Sequence, residues 1–198
     1  MIQEKEIILV ECPRDAMQGW KKFIPTQTKI SYLNALLQVG FDTIDFGSFV
    51  SHKAIPQMAD TKDVVKQLRM QDSKSKLLAI VANIQGASDA VQFEQISYLG
   101  FPFSISHTFQ MRNTNSTIEQ SLVRLSAIQE LCIQSNKELV VYLSMGFGNP
   151  YGDKYNEEIL LQRAAQLIEM DIKIISLADT IGIATPEQIS FALNTLIP

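Results

Sequence analysis

Cysteine, histidine and tryptophan are scarce in this 198-residue chain, at two, two and one residues. Cys12 and Cys132 are far apart and show no metal-ligand spacing and no secreted disulfide framework, so a reduced, cytoplasmic setting is expected. Cys132 falls on an apolar helical face and reads as a small core residue. Of the histidines, His52 sits in an expected loop and is read as solvated. His107 lies nearer a strand end, where proton transfer or substrate binding is open to it. No Ser-His-Asp arrangement can be argued. No apolar run approaches the roughly 18 residues of a membrane span. The charged start, Met1-Ile2-Gln3-Glu4-Lys5-Glu6, reads as neither signal nor transit peptide. A net charge of -4 without a basic stripe argues against nucleic acid as a partner. No G-x-G-x-x-G follows the first strand, which weakens a dinucleotide reading.

What is present is a hydrophobic content of 46%, enough for a core, in a length suited to one domain, 1–198. Short apolar runs alternate with helical patterns. Strands are expected over 7–10, 41–46, 76–82, 101–106, 138–145 and 172–177, with the first fully buried. Helices are expected after a cap at Thr26 or Thr28, after a cap at Asp60, over 88–98, after a capping box at Ser116-Thr117-Ile118-Glu119, and over 157–170. A last one follows Thr185-Pro186-Glu187-Gln188 and turns Ile189, Ala192, Leu193 and Leu196 inward. Residues 107–115 read as a polar loop. Met17, Met58, Met111 and Met145 recur after strands and are read as gap fillers. Strand then helix, repeated six times without a hairpin, implies a parallel α/β unit with right-handed crossovers. Two architectures satisfy it: an open doubly wound sheet, or part of an eight-unit barrel.

Each expected strand is apolar and then ends in polar chemistry, where parallel α/β proteins place their ligands. The first ends in Arg14 and Asp15, the second in Asp45 and Ser48, and the third in Asn83. The fourth ends in Ser106 and His107, and the sixth in Asp179 and Thr180. An adjacent Arg-Asp pair suits an anionic substrate, because guanidinium holds a carbonyl oxygen becoming an enolate and carboxylate holds a divalent metal. A surface ion pair capping a strand is the plainer alternative. Asp45 lies within Ile44-Asp45-Phe46, so a buried carboxylate there needs a metal, an arginine or several N–H groups.

Taken together these motifs resemble the hydroxymethylglutaryl-CoA lyases, within a wider group of TIM-barrel metal-dependent lyases and synthases that share the Arg-Asp opening. The resemblance covers essentially the whole chain. It rests on Pro13-Arg14-Asp15-Ala16-Met17-Gln18, on the run from Gly47-Ser48-Phe49-Val50 to Pro56-Gln57-Met58-Ala59-Asp60, on Asn113 to Ser121, on Gly148-Asn149-Pro150-Tyr151, and on Ser176 to Gly182. The stretch from Ser48 to Asp60 is the most specific. The resemblance implies a partial (β/α)8 barrel of about six strand-helix units with the last two missing. It also implies cleavage of a CoA thioester, hydroxymethylglutaryl-CoA, to acetyl-CoA and acetoacetate with Mg²⁺ or Mn²⁺. Arg14 would then stabilise the enolate oxygen, Asp15 would be a direct metal ligand, and Asp45 would act through water or from behind the metal's ligands. Gln18, Ser48, Asn83, Ser106 and Thr180 would orient the substrate, with Asp179 in support. A homodimer is expected.

This chain departs from the family pattern at four of these positions: Ala16 for a glycine, Asp45 for a glutamate, His107 for a glutamate and Asn149 for a cysteine. The seventh-strand His-x-His pair, the eighth-strand asparagine and a loop cysteine have no counterpart. The expectation is therefore a C-terminally truncated barrel, inactive alone. The competing readings are a condensing synthase of the same group and a non-catalytic α/β scaffold.

Overall fold

The computed structural model describes residues 7–197. They divide after Leu99 into two compact units. The first contains β1 (Val10–Glu11), α1 (Pro13–Gln18), α2 (Thr26–Leu36), β2 (Thr43–Ser48), α3 (Thr61–Val65), β3 (Lys76–Ile80) and α4 (Ile84–Ala90). Single 3₁₀ turns occur at Pro56–Met58 and Met70–Asp72. β4 (Ile96–Ser104) begins in this unit. The strand order is β1-β2-β3, and both pairings are parallel. No reversal of order, the mark of a doubly wound sheet, occurs in it.

β2 is buried along its whole length, as expected of a parallel strand covered on both faces. Ile44, Phe46, Leu77, Leu78 and Ala79 form the strand core, with Ile30, Leu33, Val64 and Val65 buried on the helices. The pairing of β2 with β3 slips between Asp45 and Gly47, a bulge in β2. A Cβ on Gly47 would meet Thr61 Cγ2 at 2.7 Å and Oγ1 at 3.1 Å. That Thr61 hydroxyl accepts from Ser48 N–H at 3.2 Å and donates to Met58 O at 2.8 Å. A side chain at position 47 would therefore push on the bond that fixes the end of β2.

The second unit contains the rest of β4, then α5 (His107–Thr114), α6 (Ile118–Gln134), β5 (Glu138–Ser144), α7 (Glu157–Glu169), β6 (Ile174–Leu177) and α8 (Pro186–Leu196). β5 and β6 pair in parallel. Ile105 N–H donates to Ser144 O, which sets the end of β4 beside the end of β5. Phe101, Phe103, Leu125, Ile128, Cys132, Val141, Leu143 and Leu167 are buried. The burial of Cys132 pushes its thiol up to about 12.

Several expectations change. The first strand is not buried: Ile7, Ile8, Leu9 and Val10 are 81%, 67%, 58% and 49% exposed, because β1 lies at the edge of its unit and pairs with β2 alone. Arg14 and Asp15, expected at the end of that strand, lie on a short helix after it, since Pro13 at the first helical position starts α1. α2 has Pro25 at its N-cap and no side-chain cap, so neither Thr26 nor Thr28 plays that part. Asp60 occupies the N-cap of α3 without capping it; its carboxylate pairs with Lys29 Nζ at 2.7 Å instead. The helix expected over 88–98 runs over Ile84–Ala90, because the Asn83 side chain accepts from Gly86 N–H at 2.8 Å and starts it earlier.

Of residues 107–115, expected as a loop, 107–114 form α5 under a Ser106 cap and Asn115 closes it in the left-handed conformation. The capping box of α6 is Thr117 with Gln120, one residue beyond the expected pair. Ser116 turns inward to Thr114 and Ser121 at 2.7 Å each. The Thr185 cap, its proline and its Gln188 partner form as read. Of the four expected inward residues on α8, Ala192 alone is buried, Leu196 is half-buried, and Ile189 and Leu193 are exposed. Met17, Met58 and Met145 are buried and Met111 is exposed.

Gly47→Ala is expected to destabilise the protein by about 1–3 kcal/mol, the range for an added methyl in a packed core. Urea unfolding checks it, and a variant carrying Thr61→Ser as well should regain part of the loss.

Candidate active site

The first unit brings four of the expected residues into one hydrogen-bonded group. Arg14 Nε donates to both Asp45 oxygens at 3.1 Å, and Nη2 donates to Asp45 Oδ2 at 2.5 Å. The opposite edge of the guanidinium, Nη1, donates to Asp15 Oδ1 at 3.0 Å and to Gln18 Oε1 at 2.9 Å. Gln18 Nε2 closes the ring on Asp15 Oδ1 at 3.1 Å. The local sequence explains the group. Arg14 and Gln18 are four apart on one helical turn, and Asp15 sits in the first turn, where the helix favours a negative charge. Asp45 reaches Arg14 from the centre of β2.

Burial separates the two carboxylates. Asp45 is 0% exposed, whereas the Asp15 side chain is 67% exposed. Burial pushes the Asp45 carboxyl above the usual carboxylate range, although its bonds and charge interaction with Arg14 pull the other way. The sequence left Asp45 open to a metal, an arginine or N–H groups, and its partner here is Arg14.

The bulge in β2 sets which residues accompany Asp45. Asp45 lies opposite Leu78 and Ser48 opposite Ile80. Leu78 and Ile80 share a face of β3, so Asp45 and Ser48 share a face of β2. Strict alternation over three residues would have put them on opposite faces. The Ser48 hydroxyl lies 3.4 Å from Ile80 O and accepts from Val50 N–H at 3.2 Å. Ser48 also lines a cavity of about 230 Å³ with His52, Thr61, Lys62 and Asp89. Asn83 is committed to the cap of α4.

The second unit holds Ser106, Asp179 and Thr180, each engaged. Ser106 Oγ accepts from Phe109 N–H at 3.1 Å and donates to Asp153 Oδ2 at 2.6 Å. Asp153 also accepts from Thr108 N–H and Thr108 Oγ1, both at 2.8 Å. These bonds, the Ser106 hydroxyl foremost, hold its carboxyl below the usual range. Thr180 Oγ1 accepts from Met145 N–H at 2.7 Å, where the chain takes a positive φ of 58°. Asp179 accepts from Ala184 and Ile183 N–H, which lowers its carboxyl pKa. His52 and His107 are exposed. Asn149 orders its loop, accepting from Tyr151 and Asp153 N–H at 3.0 and 3.1 Å.

Sequence reasoning gave no role to Asp153 or Gln57. Asp153 ends a stretch of turn formers, and nothing in that pattern says that it reaches the start of α5. Gln57 was visible only as part of a motif.

The fit of a divalent metal can be judged from the donors. Among the described residues no three His, Cys, Asp or Glu side chains cluster to hold an ion. Both Asp45 oxygens accept from Arg14, which leaves Asp15 as the single exposed carboxylate of the group. These residues by themselves do not make a divalent site.

The Arg14–Asp45 pair has a pH signature. A carboxyl whose folded pKa is raised contributes stability below its unfolded value of about 3.9, and loses it as pH rises through the folded value. Arg14→Met removes the group that lowers Asp45 and so moves the folded value further up. The destabilisation should be small near pH 4 and grow to about 3–5 kcal/mol by pH 7, the range for breaking a buried pair. Adding Asp45→Asn should flatten that pH dependence in urea titrations.

The chain is similar to known proteins along nearly its whole length. A family profile described as HMGL-like matches residues 6–197. The mitochondrial hydroxymethylglutaryl-CoA lyase of Mus musculus is 32% identical over 92% of this chain and 56% of its own length. The cytoplasmic 3-hydroxy-3-methylglutaryl-CoA lyase of Homo sapiens is 32% identical over 93% of this chain and 50% of its own. The crystal structure of the Bacillus subtilis HMG-CoA lyase superposes with a TM-score of 0.89 at 31% identity, covering 96% of this chain and 63% of that one. An HMG-CoA lyase solved with coenzyme A and 3-methylmalate gives a TM-score of 0.87 at 31% identity, with the same coverage. The chain thus spans between half and two thirds of the length of these relatives. The fold is α/β, a partial (β/α)8 barrel of six strand-helix units, and the chain belongs to the HMGL-like family.

Proposed function

We propose that this chain carries part of the active site of a carbon–carbon lyase that cleaves hydroxymethylglutaryl-CoA to acetyl-CoA and acetoacetate. The observation that carries the reading is the aim of Arg14. One edge of its guanidinium is held by a fully buried carboxylate and the other by Asp15 and Gln18. In this cleavage the tertiary hydroxyl gives its proton to a base and becomes the ketone of acetoacetate as the C–C bond breaks. The electron pair of that bond moves to the thioester oxygen as an enolate, and a proton added at carbon completes acetyl-CoA. A guanidinium fixed before the charge develops lowers that barrier without reorganising. Arg14 is the group in contact with the reacting oxygen. Asp45, which touches Arg14, positions it.

Gln18, which bonds Arg14, and Ser48, on the Asp45 face of β2, are proposed as substrate hydrogen-bonders, as are Asn83, Ser106 and Thr180. The last three serve also as caps or turn locks, so substrate would share their polar atoms with the backbone. Mg²⁺ or Mn²⁺ belongs to the reading through the family resemblance, with Asp15 as the carboxylate this chain offers. A cytoplasmic setting is supported by the two unpaired cysteines and by relatives named as cytoplasmic, alongside others named as mitochondrial. No described helix is long and apolar enough to cross a membrane. A homodimer completes the proposal.

A chimera that completes the barrel with the remaining strand-helix units of one of these relatives, incubated with hydroxymethylglutaryl-CoA and Mg²⁺ or Mn²⁺ and followed for acetoacetate, tests it, and the chain by itself should release none. Arg14→Met should cut turnover by about 10²–10³-fold, the usual cost of losing one oxyanion donor. Formation of a new thioester from acetyl-CoA and a 2-oxo acid, with no acetoacetate released, would replace this reading by the condensing one.

A further inference from the structure

Residues 19–25 connect α1, which carries Arg14, Asp15 and Gln18, to α2. Backbone bonds anchor the ends of this arm. Trp20 N–H donates to Met17 O at 3.0 Å, and Pro25 O accepts from Thr28 and Lys29 N–H. Between those ends the side chain of Gln57 bonds the arm at three points. Gln57, 4% exposed on the 3₁₀ turn after β2, donates from Nε2 to Trp20 O at 2.8 Å and to Lys22 O at 2.6 Å. Its Oε1 accepts from Ile24 N–H at 3.1 Å. One primary amide thus does for the arm what a neighbouring strand would do.

Lys29 reinforces the same junction from α2. Its ammonium, on a side chain 2% exposed, donates to Gln57 O, pairs with Asp60 and lies 4.2 Å from the centre of the Phe23 ring. The backbone of Gln57 is therefore fixed as firmly as its side chain. α1 packs directly on this 3₁₀ turn, with Met17 and Met58 both buried.

We infer that Gln57 is a positioning residue for Arg14, acting through the arm at residues 19–25. The inference rests on the reading of Arg14 as the enolate-binding group. The physical argument concerns a short lever. α1 is six residues long, too short to hold its own orientation. It is fixed by the Arg14–Asp45 pair at its start, by the packing of Met17 and by the arm at its end. Freeing the arm removes the polar hold on that end, so the guanidinium keeps its charge partner while its angle is held less firmly.

The test uses ¹⁵N-labelled protein with two variants. Gln57→Met keeps the length of the side chain and removes all three bonds. Gln57→Glu keeps the acceptor for Ile24 N–H and removes the two donations, and it also serves if the first variant does not fold. In Gln57→Met, exchange of the Ile24 amide should rise about tenfold or more, the effect of losing a buried hydrogen bond. Exchange of the Arg14 Nε–H should rise with it, and the Asp45 carboxyl should titrate at higher pH. In Gln57→Glu, Ile24 should stay protected while Arg14 still loosens. Ser121→Ala, in the buried hydroxyl cluster of the second unit, controls for general loss of stability and should move neither signal. Fast exchange at Ile24 with wild-type Arg14 and Asp45 signals would overturn the inference, and so would unchanged exchange at both. None of these readouts needs turnover, so absence of lyase activity would count against the proposed function alone. Where turnover is measured, the loss should fall on kcat with KM within about twofold. A change confined to KM would count against positioning.

Discussion

The first unit depends on placing a carboxylate, Asp45, in the middle of a strand that is buried from end to end. Burial of an unpaired charge there would cost several kcal/mol, so Asp45 makes the fold require Arg14. The arginine arrives on a helix that starts at a proline two residues after β1 ends. The ion pair thereby ties the short helix to the buried strand, to which the exposed strand is already joined by its backbone pairing. The pair is anisotropic: the inner edge of the guanidinium is saturated by Asp45, and the outer edge faces groups that solvent reaches. A charge fixed in this way is suited to meeting a second negative centre that forms during a reaction.

The strand-helix alternation was legible in the sequence because short apolar runs, closed by glycine or polar residues, alternate with longer stretches of helical period. Arg14, Asp15 and Asp45 were legible as a chemical set for the same reason: charge is conspicuous at the end of an apolar run. What was not legible depended on partners distant in sequence. Nothing near Asp60 says that Lys29 will claim its carboxylate in place of the α3 cap. Nothing near Ser106 says that a loop ending in Asp153 will supply an acceptor and turn residues 107–114 into a helix. The bulge at Gly47 was equally hidden. Alternation read from the sequence places Asp45 and Ser48 on opposite faces, and one extra residue in β2 brings them onto the same one.

The second unit handles its strand ends differently. The hydroxyls of Ser106 and Thr180 and the carboxylates of Asp153 and Asp179 all bond backbone N–H groups at or just past strand ends. They convert potentially floppy turns into fixed ones and satisfy donors that would otherwise be left unpaired. Gln110 does the same from inside. Its amide meets Ser104 N–H on one side and the Ser121 hydroxyl on the other, tying the end of β4 to α6 through α5. In this unit the described bonds of the polar residues at the strand ends are spent on holding the loops.

Trp20, the one indole in the protein, lies on the arm that Gln57 bonds, a residue 65% exposed with its carbonyl in the Gln57 bond. The chain therefore has its own optical label at the segment that steadies Arg14. Tryptophan emission from this protein is the signal of a single connection, undiluted by any other part of the fold.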